Sequence, residues 1–391
     1  MATRAERAPV AATQQQAAPS PLPAACIRVQ DWRLFEDPEA RHAWDALARC
    51  AAEPNPFFES WYLLPALRAH DADGSVALLC FEYDGELAGL LPLRREPKYY
   101  RWPIPQLTTW IHGNCFLGAP LVAAGLERAF WRALLDWADR SAGLALFLHL
   151  PSVPLEGPLH AALADVLAQQ GRTAGLVHAE QRAMLCSDLT AETYFEASMS
   201  GKKRKELRRQ FARLSDLGEV RIERTTGDEH LGRWIDDFLA LEHSGWKGGA
   251  GSALASHQST TRLFREALSG AVSHDRLERL TLTLDDEPIA MLASFVTPPG
   301  AFSFKTAFDE RYARYSPGVL LQRENLALLD HPKVHWTDSC AAADHPMIDH
   351  IWRERRAIGR LSIAIGGALR RALFRQLLKA ELGRNPSGVT P

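Results

Sequence analysis

KTAFDERYARYSPGVLLQRE, residues Lys305–Glu324, is the segment that decides the fold. The apolar run Ala301–Phe308 predicts a strand, and Ser316–Gly318 (SPG) begins an apolar helical pattern. Ser is a good N-cap, Pro suits the first helical position, and Gly permits close approach of another group. A helix that starts in this way presents unpaired N–H groups that attract phosphate. The segment therefore predicts a strand–loop–helix cradle for a pyrophosphate, with Arg311 and Arg314 as additional positive charge.

The composition is that of a soluble globular protein of two domains. The chain has 391 residues, 46% of them hydrophobic and 24% charged, and its formal net charge is -2. This balance gives no overall field for nucleic acid or an acidic membrane. No window approaches the roughly 18 apolar residues of a membrane span. Residues 1–25 contain Ala, Gln and Pro and predict a disordered tail rather than a signal peptide.

The six cysteines are scattered, without a CxxC pair or the spacing of a metal site. This usage favours reduced thiols in a cytoplasmic protein that holds no metal.

The order of predicted elements repeats. Residues 26–190 and residues 220–366 each read as strand, two helices, three strands, helix, strand, helix, strand, with the pattern weaker in one copy. The second copy ends with a predicted helix His345–Glu354 and a strand Ala357–Ile365. Two mixed α/β domains with helices on both faces of their sheets follow from this order.

Two basic amphipathic helices complete the chain. One lies in the linker 191–219 and carries Lys202–Lys205. It is either a solvated linker or a source of phosphate contacts to a cofactor or an anionic acceptor, and its lack of interleaved aromatics argues against nucleic-acid binding. The other, within residues 367–391, either packs on the second domain or touches a membrane surface.

The sequence resembles the CelD/BcsL-type acetyltransferases, a branch of the GNAT N-acyltransferase superfamily that is related to the Fem peptidyltransferases in having tandem GNAT-like halves. Four segments of the second half carry most of the resemblance: KKRKELRRQFARLSDLG at 202–218, FLALEHSGWKG at 238–248, KTAFDERYARYSPGVLL at 305–321 and WTDSCAAADHPMIDHIWRERR at 336–356. The first half matches only in outline, so the resemblance implies a better preserved second half.

The resemblance also implies an acyl-CoA site beside a strand that splays from its neighbour, with acetyl-CoA as the expected co-substrate. Thr306, Ala307 and Phe308 would then hold the thioester. The pyrophosphate loop would comprise Arg314, Ser316, Gly318, Val319 and Leu320. Its spacing departs from the usual superfamily loop, because it has one residue more and Leu320 stands where a small residue is expected.

Direct acyl transfer needs a neutral nucleophile, a donor for the oxyanion and a proton acceptor. Asp338 and His345 are the candidate catalytic residues, with Asp344 beside them, because histidine titrates near neutral pH and Asp338 ends a strand. Asp344 and His345 also have an ordinary interpretation as a helix entry, with one of them near the cap. The candidate substrate-binding residues are Trp246, Lys247, Lys305 and Asp309. Each also has a structural interpretation that involves no substrate. Cys340 is expected to be a bystander thiol.

The leading hypothesis is a cytoplasmic acyl-CoA-dependent N- or O-acyltransferase with one working site in the second half. The family resemblance suggests an amino sugar, an exopolysaccharide precursor or an amino acid as acceptor. Two alternatives remain open: aminoacyl transfer from charged tRNA in the manner of Fem enzymes, and a non-catalytic accessory role in polysaccharide synthesis.

Overall fold

The computed structural model describes residues 25–343, 345, 347–386 and 388–389. The predicted tail lies outside this range except for Ala25, which begins the first strand. The elements of the first half are β1 Ala25–Asp31, α1 Pro38–Cys50, α2 Ser60–His70, β2 Val76–Tyr83, β3 Glu86–Glu96, β4 Gln106–Thr109, β5 Leu121–Val122, α3 Glu127–Ser141, β6 Phe147–Pro154, α4 Pro158–Gln169 and β7 Ala174–Leu185.

The linker and the second half repeat most of this order. Their elements are α5 Ala191–Ser198, α6 Gly201–Ser215, β8 Val220–Thr225, α7 Leu231–Ser244, α8 Trp246–Gly249, α9 Gln258–Ser273, β9 Leu277–Leu284, β10 Glu287–Thr297, β11 Gly300–Phe308, α10 Pro317–Asn325, β12 Trp336–Asp338, β13 Glu354–Ala364 and α11 Ala368–Leu382.

The predicted helix His345–Glu354 is wrong. Its described residues form turns, and Glu354 already begins β13. The apolar spacing that suggested a helix reflects burial of Ile351 and Trp352, both inaccessible to solvent. Arg353 N–H donates to the Tyr194 hydroxyl at 2.8 Å, which fixes the chain where it enters β13.

All strands join one mixed sheet, in the order β1-β2-β3-β4-β6-β13-β7-β12-β11-β10-β9-β8, with β5 paired to β3. The two halves exchange their last strands. β13 from the second half lies between β6 and β7, and β7 from the first half pairs with β12. The predicted mixed α/β fold class is confirmed. The two predicted sheets are one continuous sheet, because each half completes the sheet of the other.

Aromatic packing joins the halves on one face of the sheet. The Phe57 ring lies 6.3 Å from that of Phe295 and 6.0 Å from that of Phe302, centroid to centroid. Helices α2 and α9 also meet closely, since a Cβ on Gly270 would lie 2.9 Å from the Trp61 carbonyl oxygen. Only glycine permits this approach.

Helix α11 packs where the halves meet, against β13 of the second half and against β6 and β7 of the first. Phe374 is buried, and its ring stacks on Phe147 with centroids 5.1 Å apart. The Tyr99 hydroxyl donates to Glu381 Oε1 at 2.7 Å. These partners come from β6 and from the β3–β4 connection, next to which the exchanged strand β13 ends.

Candidate active site

The site begins where β11 separates from β12. The two strands run parallel and pair only through Gly300–Phe302 and Trp336–Asp338. Residues 303–308 leave β12 but continue to pair with β10, and Phe304 is an extra residue in that register. Such a bulge bends a strand and redirects its side chains. The predicted splay is therefore present as a fork between two strands.

A cleft of about 210 Å³ occupies this fork. Seven of the residues predicted for the site line it: Trp246, Lys247, Lys305, Thr306, Ala307, Phe308 and His345. Alternate backbone N–H groups of residues 303–308 face the open side of the fork, because a strand directs its polar groups to both edges in turn. The cleft thus combines unpaired strand donors with two amines and an imidazole.

Lys305 is the most perturbed cation of the cleft. Its Nζ lies 5.3 Å from the ring centroid of Phe116 and 5.7 Å from that of Phe304. Burial, and then the nearby charge of Lys247, lower the Lys305 pKa to about 8. A fraction of this amine is therefore neutral at physiological pH. Phe116 belongs to the loop after β4, so the first half supplies one wall of the site.

Glu242 is a site residue that the sequence analysis missed. Its buried carboxylate accepts from Lys247 Nζ at 2.8 Å and from the Leu254 N–H at 2.8 Å. The available signal was a carboxylate on the apolar stripe of α7, five residues before a lysine. Glu242 fixes Lys247 at the cleft wall and neutralises its charge.

Glu310 holds the rim of the cleft. Its Oε1 accepts from the Trp246 N–H at 2.7 Å. The Trp246 side chain is 64% exposed above this contact. A large aromatic surface is therefore available to a ligand that enters the cleft.

His345 faces the cleft in its neutral form. Its Nδ1 is buried and has no hydrogen-bond partner among the described residues, and burial lowers the imidazole pKa. A neutral imidazole at pH 7 is able to accept a proton. Asp344, predicted to lie beside it, falls outside the described residues.

Asp338 does not line the cleft. It is completely buried between Arg182 Nε, 3.0 Å from Oδ1, and Arg356 Nη1, 2.9 Å from Oδ2. The Cys340 N–H also donates to Oδ1, at 2.9 Å. Both carboxylate oxygens are engaged and the side chain is inaccessible to solvent, which gives Asp338 the geometry of a structural ion-pair centre.

The predicted pyrophosphate cradle differs from expectation. Ser316 has a left-handed backbone, φ 54°, and its side chain caps no helical N–H. The N–H of Val319 is not free, because it donates to the Ser316 carbonyl at 3.0 Å. Gly318 N–H has no acceptor among the described residues, but a Cβ on Gly318 would lie 2.8 Å from Met347 Sδ. Met347 therefore covers the start of α10.

The other predicted cradle residues have structural partners. The Arg314 guanidinium lies 4.7 Å from the Tyr315 ring centroid, and Leu320 is buried in the second-half core. Asp309, predicted to bind substrate, instead accepts from Arg311 at 2.6 Å, and its hydrogen bonds with Arg311 lower the Asp309 pKa. These residues lie outside the cleft lining.

Cys340 is buried in the cleft wall with a left-handed backbone, φ 52°. Burial raises its pKa well above the usual range, so the side chain is a thiol rather than a thiolate nucleophile.

The described residues contain no group of three metal-ligating side chains, and no helix among them is long and apolar enough to cross a membrane.

Residues 201–345 match the acetyltransferase (GNAT) domain family. No curated protein matches the chain. Among solved structures, FemX superposes with a TM-score of 0.54 at 11% identity, covering 87% of this chain and 98% of that one.

Two further structures share the fold. The C-terminal domain of a protein assigned as a lysylphosphatidylglycerol synthetase from Agrobacterium fabrum has a TM-score of 0.52 at 12% identity, covering 87% of this chain and 96% of that one. A protein of unknown function from Bacteroides thetaiotaomicron has a TM-score of 0.51 at 11% identity, covering 84% and 97%. These likenesses and the domain match confirm the predicted GNAT-like fold class. They leave the narrower CelD/BcsL resemblance as a proposal.

Proposed function

We propose that this protein transfers an acyl group from acyl-CoA, with acetyl-CoA the first donor to test, to an amine or hydroxyl of a small-molecule or saccharide acceptor. The observation that carries the proposal is the fork between β11 and β12. Its cleft brings unpaired backbone donors, a desolvated lysine and a neutral histidine together, inside the region that matches the acetyltransferase family.

The thioester of acyl-CoA fits the fork better than the pyrophosphate of acyl-CoA fits the N-terminus of α10. Residues Thr306–Phe308 edge the cleft and offer backbone N–H groups to the thioester carbonyl, where negative charge develops during transfer. The N-terminus of α10 accepts a pyrophosphate only when Met347 moves from Gly318. Acyl-CoA binding in this protein therefore includes a displacement of the Met347 side chain.

We assign proton removal to His345 and acceptor binding to Lys305. An amine acceptor enters as an ammonium ion and must lose a proton before it attacks. His345 is neutral and faces the cleft, so its free imidazole nitrogen takes that proton. Lys305, held between Phe116 and Phe304, attracts an anionic group of the acceptor. Asp338 has a positioning role only, through its contact with the Cys340 backbone.

The residues at the rim of the cleft suggest the class of acceptor. Trp246 presents an exposed ring at the mouth of the cleft, a surface suited to stacking on a sugar. Amino sugars, exopolysaccharide precursors and amino acids therefore form the acceptor panel. We place the reaction in the cytoplasm, where acetyl-CoA and such precursors occur.

An assay of CoA release tests the proposal. Wild-type protein with acetyl-CoA and the acceptor panel should release CoA in an acceptor-dependent manner, and His345→Gln should reduce kcat by about 100-fold. His331→Gln, at a half-buried site outside the cleft, is the matched control and should leave the rate unchanged. Binding of acetyl-CoA without turnover of any acceptor would favour the accessory role instead.

Aminoacyl transfer from charged tRNA is the second candidate, because α6 presents an exposed basic face. Lys202, Lys203 and Lys205 are exposed there, whereas Leu207 is buried beneath them. Under this alternative, binding of tRNA weakens steeply with salt, and Lys202→Glu/Lys203→Glu abolishes it. Acetyl transfer that is indifferent to the same double substitution supports the acyl-CoA proposal.

A further inference from the structure

Five large apolar side chains project into solvent at one end of the sheet, away from the cleft. Their exposed fractions are 88% for Leu144, 86% for Leu369, 63% for Tyr100, 61% for Leu373 and 57% for Trp102. Exposed apolar groups that cluster in this way mark an interaction surface more often than chance.

Two hydrogen bonds bring together the segments that carry these residues. The Leu146 N–H donates to the Pro105 carbonyl at 2.8 Å, which joins the start of β6 to the connection that carries Tyr100 and Trp102. Arg370 on α11 donates to the Gly143 carbonyl at 2.7 Å, which places Leu369 beside Leu144.

Basic residues surround the apolar side chains. We call the combination the aromatic–basic surface; besides the five apolar residues it contains Arg95, Lys98, Arg101, Arg140, Arg370, Arg375 and Lys379. Three nearby carboxylates are already engaged: Glu96 pairs with Arg94, Asp139 with Arg172 and Arg371, and Glu381 accepts from Tyr99. Asp136, one helical turn before Arg140, is an exposed carboxylate at the edge of the surface. In a chain of net charge -2, this surface is a local concentration of positive charge.

We propose that the aromatic–basic surface docks on the face of a bilayer that contains anionic lipid. Trp and Tyr favour the headgroup level of a membrane, leucines enter the acyl boundary, and each Lys or Arg gains from the negative surface potential. A second copy of the chain is a poorer partner, because pairing the surface with itself would oppose two positive patches.

This docking leaves the cleft open to the aqueous side. Strand β13 ends at Ala364, opposite Phe147, which is buried beneath the aromatic–basic surface. The strand begins at Glu354 opposite Met184, and Met184 also pairs with Asp338 at the cleft end. Eleven residues of strand span about 35 Å. The proposal therefore concerns where the protein resides, and it holds whatever donor or acceptor the cleft takes.

Co-sedimentation with vesicles tests the docking surface. Full-length protein should pellet with vesicles of phosphatidylcholine plus phosphatidylglycerol and remain in the supernatant with phosphatidylcholine alone. Leu369→Glu/Leu373→Glu should reduce the partition coefficient at least tenfold, and Arg375→Gln/Lys379→Gln by about 30-fold at low salt, since each charge contributes about a fivefold factor. All four positions are exposed, so the variants are expected to fold.

Leu217→Glu is the matched control, because Leu217 is 49% exposed but lies after α6. It should pellet as wild type does. Failure of the wild type to pellet with anionic vesicles, or equal pelleting by all variants, would overturn the proposal. A change of oligomeric state in the leucine variant without lipid, measured by sedimentation velocity, would also overturn it by assigning the surface to self-association.

Discussion

Asp338 and Arg182 form a fully buried ion pair between the two halves of the chain, with Nε and Oδ1 3.0 Å apart and side chains 0% and 4% exposed. Arg182 lies on β7, the strand that the first half contributes to the second half's side of the sheet. It also donates to the Phe116 carbonyl, 3.0 Å from Nη2. The pair therefore links the exchanged strand to two walls of the cleft.

Asp338→Asn should destabilise the protein strongly. It removes the countercharge of Arg182 and Arg356 while both guanidinium groups stay buried, and breaking such a pair costs about 3–5 kcal/mol. Urea unfolding measures the loss. Asp286→Asn, which breaks an exposed pair with Arg221, is the control and should leave the unfolding free energy nearly unchanged. A stable Asp338→Asn protein would return Asp338 to the list of catalytic candidates.

Lys305→Met should stabilise the protein at pH 7. The pKa of Lys305 falls from 10.5 in the unfolded chain to about 8 in the fold, a difference equivalent to about 3 kcal/mol at most. The charged form is disfavoured by folding, so the cost is full below pH 8. It disappears as the unfolded chain loses its proton towards pH 10.5.

Urea unfolding at pH 7 and at pH 10 separates this effect from packing. The gain from Lys305→Met should be larger at pH 7, whereas Lys333→Met at an exposed position should show no such difference. An equal gain at both pH values would mean that Lys305 is not desolvated.

The pH dependence of kcat/KM should be bell-shaped. Activity rises as His345 loses its proton below pH 6.5, because burial lowers its pKa, and falls near pH 8 as Lys305 loses its charge. Lys305→Arg keeps a cation at all working pH values. The pH profile of kcat/KM for the Lys305→Arg variant should therefore lose the descending limb. A descending limb that stays near pH 8 in this variant would show that another group causes it.

Met347→Ala should tighten acetyl-CoA binding by roughly fivefold, because the Met347 side chain no longer has to leave Gly318 when a pyrophosphate arrives. Isothermal titration measures the change, and Met347→Leu, which keeps the bulk, should bind as wild type does. Weaker binding by the alanine variant would show that Met347 contacts the ligand instead of covering its site.

The sequence was most informative where periodicity and turn chemistry act locally. The strand predicted over Ala301–Phe308 is observed as Gly300–Phe308, and the helix predicted from the SPG motif begins at Pro317. The fork was expected from the family resemblance alone, which implies a strand that splays from its neighbour, whereas the SPG motif predicted only the start of a helix.

Long-range contacts were not predictable. The exchange of β7 and β13 depends on which strands meet in space, and the spacing of residues along the chain does not indicate which strands pair. Asp338 ends a strand as predicted, but its two arginines come from 156 residues before it and 18 residues after it. Cover of Gly318 by Met347 is likewise a tertiary contact, and it changes what the helix start can bind.

The most direct test of the account is isothermal titration of acetyl-CoA into wild type and Thr306→Trp. Thr306 is a half-buried residue of β11 at the cleft, so an indole there fills the fork. Thr225→Trp, at a half-buried position of edge strand β8, is the matched control. The account predicts binding by wild type and the control, and none by a Thr306→Trp protein that circular dichroism shows to be folded. Equal binding by all three, or none by folded wild type, would contradict an acyl-CoA site in the fork.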